Sequence, residues 1–424
     1  MSILPAPLQV PAFRAYWVAR LAATIAQMAM VIVIGWQVYD IARETMDLKA
    51  AALRLGLIGL IQFVPLFALT LVTGWTADRV DRRWIARAAV LLELVCAAIL
   101  AWHAWTGATT LMVLYFVAAL LGVARAFAGP ALGALAPNLV PREVLPNAIA
   151  LSSIAWQSGA IAGPALGGYL YAAAPVAPYA ASAALFLLAL LCLMAIGPVA
   201  RPELEEGPNP WTQMVEGLRY VRHHRLVLGA ISLDLFAVLL GGATAMLPVF
   251  ARDVLHAGPE GLGHLRAAPA LGATLTAAFF AFRPLKTEVG LKMLVAVAVF
   301  GGATIVFGFS RWMPLSLACL ALLGAADMFS VYVRQSLIQL YTPDEMRGRV
   351  GAVSSLFISA SNELGEAESG FLGALIGPVV AVIAGGVGAI LVVVIWAWKF
   401  PELRLARSFD PPDVAATIEQ ESKA

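Results

Sequence analysis

Long apolar stretches separated by short polar turns occupy almost the whole chain. They fall at about 14–40, 54–76, 84–102, 110–134, 147–173 and 178–198, and after a polar break they resume at about 226–250, 262–282, 291–309, 313–338, 348–373 and 376–398. Each is long enough, as a helix, to cross a hydrocarbon core of roughly 30 Å. The pairs 147–173/178–198 and 348–373/376–398 are joined by very short turns and read as hairpins. The eleventh segment has the weakest apolar pattern because it contains acids. The pattern predicts an all-α polytopic membrane protein with 12 transmembrane helices in two six-helix bundles, 1–198 and 226–398. A linker at 199–225 joins them and a polar tail at 399–424 follows.

Within the linker, Trp211, Met214, Val215, Leu218 and Val221 recur at helical spacing, with Arg219, Arg222 and Arg225 near the end. This spacing predicts an amphipathic helix lying in a membrane interface. A plain linker helix is equally compatible with it.

Composition agrees with the pattern. Hydrophobic residues make up 61% of the 424 positions and charged residues 13%, about half of the roughly 25% usual in soluble domains. The mean hydropathy is +0.84. Cys96, Cys192 and Cys319 all lie in apolar segments and read as packing residues. The five histidines form no ligand set, and no basic stripe suggests nucleic acid. Residues 1–10 lack the basic region and cleavage site of a signal peptide, so the first span is expected to direct insertion. No phosphate-binding loop, metal set or nucleophile motif implies an enzyme or a cofactor.

Lysine and arginine placement predicts orientation. With both termini cytoplasmic, the inner side holds Arg79, Arg82, Arg83, Arg87, Arg142, Arg201, Arg219, Arg222, Arg225, Arg283, Lys286, Lys292, Arg347 and Arg349. The outer side holds chiefly Arg43, Lys49, Arg54, Arg252, Arg266 and Arg311. This bias is the positive-inside pattern. The expected location is a bacterial inner membrane, with lipids and a small-molecule substrate as partners and the monomer as the functional unit.

Three stretches carry the chemistry of the first half. Gly74-x-x-x-Asp78-Arg79-x-x-Arg82-Arg83 is a dense charged knot between two apolar segments. Gly159-Ala-Ile-Ala-Gly163-Pro164-Ala-Leu-Gly167-Gly168 puts small residues and a proline in the fifth segment, which permits close helix approach and a bend. Arg125 lies well inside the fourth segment, where a guanidinium is costly without a partner or a wet cavity. Asp40 and Glu93 are the candidate partners in this half.

These motifs resemble those of the major facilitator superfamily, in the branch that includes the bacterial enterobactin exporter. The resemblance spans about residues 10–400, with Asp81 standing where many members have glycine. It implies a cytoplasmic gate at Gly74, Asp78, Arg79, Arg82 and Arg83, and a packing motif at Gly159, Gly163, Pro164, Gly167 and Gly168 typical of proton-driven exporters. It also implies a role for Arg125 in proton coupling. The corresponding loop of the second half, 281–292, keeps basic residues but loses the acid–arginine pair.

The second half carries its own buried charges. Asp234 falls early in the seventh segment, and Asp327 and Arg334 lie seven residues apart in the tenth, on roughly one face. Glu363, Glu366 and Glu368 fall inside the eleventh, where they suit either proton exchange or a cationic or metal-bearing substrate, unless the helix breaks there and exposes them to water. Proton-coupling candidates are therefore Arg125, Asp40, Glu93, Asp234, Glu363 and Glu366. Cavity candidates are Trp17, Trp36, Tyr39, Trp156, Asp327, Tyr332, Arg334 and Glu368. Tryptophans at span ends, including Trp84, Trp102, Trp105 and Trp312, read as interfacial anchors. The expected activity is secondary active efflux, by proton antiport and alternating access, of a siderophore or other amphipathic small molecule. Multidrug export, lysophospholipid flipping and divalent metal-ion transport are transport alternatives, and a nontransporting receptor or scaffold is the alternative of a different class.

Overall fold

The computed structural model describes residues 5–198, 210–283, 285 and 287–409. Among these, thirteen long helices follow one another. They are α1 (Pro11–Thr45), α2 (Leu48–Arg79), α3 (Arg82–Thr106), α4 (Leu111–Leu135), α5 (Leu145–Ala173), α6 (Ala177–Met194), α7 (Pro210–His223), α8 (Arg225–Leu240), α9 (Gly258–Phe282), α10 (Val289–Phe309), α11 (Met313–Tyr341), α12 (Asp344–Ile376) and α13 (Pro378–Lys399). Apart from α7, each coincides with one of the twelve expected apolar segments. Nine of the described helical stretches are long and apolar enough to cross a membrane. The segments α5, α9 and α12 are not among the nine. For α12 the reason is plain: it carries Arg347, Arg349, Glu363, Glu366 and Glu368.

Local chemistry sets the helix ends. Asp47 accepts a hydrogen bond from Ala50 N at 2.7 Å and caps α2. Asp81 accepts from Arg83 N at 2.9 Å and caps α3. Gly377, with φ of 93°, makes the turn between α12 and α13 that an L side chain resists.

One expectation changes. The seventh segment is not one continuous helix. It stops at Leu240, passes through Gly241 and Gly242, and re-forms as a short turn that becomes a π-helix at Phe250–Val254. Gly242 packs so closely on α12 that a Cβ there would meet Gly365 O at 2.8 Å. The eleventh segment, by contrast, is helical without a break from Asp344 to Ile376.

The chain divides into two compact units. The first comprises Met1–Gly207 and Thr244–Ala270, and the second Pro208–Ala243 and Leu271–Ala424. In the first, α1 packs along α5. A Cβ on Gly159 would lie 2.7 Å from Thr24, one on Gly163 2.7 Å from Ile25 O, and one on Gly167 3.0 Å from Ala29 O. Glycine every fourth residue thus lets the two backbones touch. In the second unit, Leu233 of α8, Met293 of α10, Val333 and Leu337 of α11 and Leu403 form a shared core.

Helix α7 is amphipathic in a different manner from the single stripe expected. Val221 is buried with Val227, Ile338 and Val353, and Met214 packs on the same cluster. Glu216 pairs with Arg349 of α12 at 2.6 Å. Trp211, Val215 and Leu218 face away and are exposed. One apolar face packs inside the second unit and another is exposed, as a face at a membrane interface would be.

Candidate functional site

The second unit holds a deeply buried ion pair. Asp234 of α8 and Arg334 of α11 form an ion pair through Oδ2 and Nη1, and the two residues are 5% and 2% exposed. Beside them lies a small cavity lined by Asp234, Ala237, Val238, Val297, Phe300, Ala326, Asp327 and Ser330. It has room for roughly one water molecule. Asp327, Ser330 and Arg334 recur at three and four residues along α11, so one helix face carries all three. Ser330 Oγ and Arg334 Nε are buried without a hydrogen-bond partner. Two carboxylates and one guanidinium therefore share a site whose polar atoms are incompletely satisfied.

The first unit handles its arginine differently. Arg125 of α4 is half-buried and donates to Gln62 Oε1 of α2 at 2.8 Å. Gln62 is 4% exposed. The helices meet closely here, since a Cβ on Gly122 would lie 2.7 Å from Gln62 O. Of the two acids considered as partners for Arg125, Glu93 of α3 is 2% exposed and within electrostatic reach of the guanidinium. Asp40 is engaged elsewhere. It pairs with Arg252 at 2.7 Å, near the end of α1.

Asp40 belongs to a cluster that sequence alone did not suggest. Tyr39 donates to Asp253 Oδ2 at 2.5 Å, and Arg43 reaches Asp253 Oδ1 at 3.2 Å. Tyr39 is thus a buried hydrogen-bond donor in a charged cluster.

The gate motif is partly visible. The side chains of Gly74, Asp78 and Arg79 lie outside the described residues. Arg83 makes a two-pronged pair with Asp81, at 3.1 Å from Nε to Oδ1 and 2.5 Å from Nη2 to Oδ2. The carboxylate at the position that departs from the superfamily pattern therefore has a structural use, as helix cap and as partner for Arg83. Arg82 is half-buried at the start of α3. Arg87, which the motif does not include, donates through Nη2 to Leu193 O and Ile196 O, each at 2.9 Å. It supplies the carbonyls that the end of α6 leaves unpaired.

In the packing motif, Gly159, Gly163 and Gly167 approach α1. Gly168 alone meets α9, where a Cβ would lie 2.5 Å from Pro259 O. Pro164 lies inside α5, and its carbonyl faces Gly263.

The aromatic cavity candidates are divided between the two units. Trp17 donates to Leu151 O at 2.8 Å and ties α1 to α5. Trp36 is buried and Trp156 is half exposed. Tyr332 belongs to the second unit and stacks on Phe280 with ring centroids 4.4 Å apart. Trp84, Trp102, Trp105 and Trp312 are all strongly exposed near helix ends, as interfacial anchors would be.

On α12, Glu363 is buried, while Glu366 and Glu368 are half-buried. Ser369 Oγ lies 3.5 Å from Glu368 Oε2. Among the described residues, no three His, Cys, Asp or Glu side chains form a group that could hold a metal ion.

The family model described as transmembrane secretion effector matches residues 3–423. The chain belongs to that family. Solved transporters share the fold of this chain. A transporter of the POT family, crystallised with 5-aminolevulinic acid, superimposes with a TM-score of 0.70 at 11% identity, covering 92% of this chain and 96% of that one. A bacterial homologue of the human lysosomal transporter Spinster gives 0.69 at 14% identity, covering 95% and 99%. Among relatives, enterobactin exporters of Shigella boydii serotype 18 and Escherichia coli O127:H6 are each 28% identical over 415 residues, or 96% of either chain. The chain is a polytopic membrane transporter with the major facilitator superfamily fold.

Proposed function

We propose that the protein exports a siderophore or similarly amphipathic small molecule, driven by proton antiport, through alternating access of its two halves. The similarity to enterobactin exporters along 96% of the chain carries the substrate class. The buried carboxylates Asp234 and Glu93 and the intramembrane Arg125 support a proton as the coupling ion, because such groups are costly in a membrane unless they exchange or share charge. The charge bias of the loops supports a bacterial inner membrane with both termini cytoplasmic. Broken backbone after Leu240 is tolerated where it is enclosed by protein or faces a wet cavity, and transporters use such breaks at their binding sites.

A cationic amphiphile is the second reading. Glu363, Glu366 and Glu368 on one unbroken helix favour it, since enterobactin is itself anionic when deprotonated. Reconstitution decides between them. Protein in liposomes with an imposed proton gradient is challenged with enterobactin and with cationic dyes while a pH-sensitive dye reports proton movement. Proton release elicited by enterobactin supports siderophore antiport. Release elicited by the cationic dyes alone supports multidrug efflux, and silence with verified folding sinks proton-driven export.

A further inference from the structure

The cavity between α8, α10 and α11 is a separate feature from the motifs that carried the family resemblance. Its wall brings Asp234 and Asp327 together with Ser330, and Arg334 is paired to Asp234 from the same helix face. One guanidinium offsets one carboxylate and leaves one negative charge, that of the half-buried Asp327, against buried neighbours. Such a charge is strongly disfavoured unless something neutralises it. Among the described residues no cation lines the cavity, and Lys292 at the start of α10 is turned to Thr287 O, at 2.7 Å. The lining residues of α10 are Val297 and Phe300. Neither Leu271–Phe282 of α9 nor Pro378–Trp398 of α13 contains a titratable residue. The acids of α12, Glu363, Glu366 and Glu368, would add negative charge, and none lines the cavity.

Ser330 is the independent sign that something binds here. A serine inside a helix ordinarily bonds a carbonyl one turn back. Ser330 is 2% exposed, and its Oγ makes no hydrogen bond although it lines the cavity. A buried polar atom left open in this way marks a place for a water or a ligand. The space admits roughly one water, too little for the six or more oxygens of a hard metal cation.

We propose that this cavity is a proton-binding site in which Asp327 takes the proton, Ser330 orients it through one water, and the Asp234–Arg334 pair holds the field that governs its release. The O–H bond formed on Asp327 breaks when the proton passes to that water, leaving the carboxylate beside Arg334. The role in coupling rests on the proton-antiport reading, but binding of the proton does not.

Infrared spectroscopy of the full-length protein in lipid tests the binding directly. The C=O stretch of a protonated carboxylic acid is expected at neutral pH, lost in Asp327→Asn and shifted in Ser330→Ala. A band unchanged by Asp327→Asn overturns the assignment. So does a band abolished by sodium chloride but not by choline chloride, which would make the site a sodium site. If Asp327→Asn fails to fold, the Ser330→Ala shift decides. In liposomes, Asp327→Asn is expected to lose gradient-driven enterobactin flux while keeping enterobactin exchange at equal pH; coupled flux at the wild-type level overturns the coupling role. Absence of enterobactin transport in the wild type would count against the antiport reading alone, since the infrared result is independent of it.

Discussion

Arg125 in the first unit and Arg334 in the second both lie inside apolar helices, yet one meets a neutral amide and the other a carboxylate. Arg125 donates to Gln62 at 2.8 Å, with Glu93 near enough to feel its charge. Arg334 is locked to Asp234, and both are almost fully buried. A guanidinium held by a carboxylate is already compensated, and its exchangeable partner is the second acid, Asp327. The two halves of one fold therefore place similar charges to different ends. On the proton-antiport reading, the first half responds through its cation and the second through its surplus acid.

The largest test of this contrast is Asp234→Ala. It strands Arg334 in a buried site and should cost about 3–5 kcal/mol of stability, read as a fall in melting temperature in detergent. A melting temperature near wild type would mean that Arg334 finds another partner and that the second site is not a locked pair. Next is Arg125→Ala, which should remove about 1.5–3 kcal/mol of charge-assisted interaction and abolish coupled flux while insertion and folding persist. Normal proton-coupled flux would end the claim that the first half responds through this cation.

Two smaller tests concern the frame around these charges. Gly163→Ala forces a methyl against Ile25 O and Met28, where the space is 2.7 Å. An overpacking cost of about 1–3 kcal/mol is expected in thermal unfolding. A neutral result would show that α1 and α5 separate easily. Tyr39→Phe removes the hydrogen bond to Asp253 and should cost about 1 kcal/mol, with Arg43 still holding the carboxylate. Loss of transport without loss of stability would instead move this cluster into the transport cycle.

The helices were legible because membrane spans announce themselves by length and apolarity. Even α12 could be placed, since topology required a span where its acids argued against one. The break after Leu240 was less legible, although Gly241 and Gly242 are visible in the chain. Two glycines permit a break, but it is the closeness of α12 at Gly365 that goes with it. Arg125 was recognisable as costly from its position alone, but Gln62 was not. A glutamine in an apolar segment carries no charge to flag it, and its role depends on α2 crossing α4. Ser330 is equally inconspicuous, an uncharged residue whose spacing from Asp327 and Arg334 gains meaning only once the cavity is formed.

Sequence by itself determined that this is a helical membrane protein of the major facilitator superfamily type, because hydrophobic length and loop charge act locally along the chain. It also determined which residues would be expensive to bury. Only the tertiary structure decided how that expense is met: Asp40 with Arg252, Asp234 with Arg334, Arg125 with Gln62. Electrostatic energy depends on separation in space and on the surrounding medium, and partners in these pairs lie from 63 to 212 residues apart in the chain.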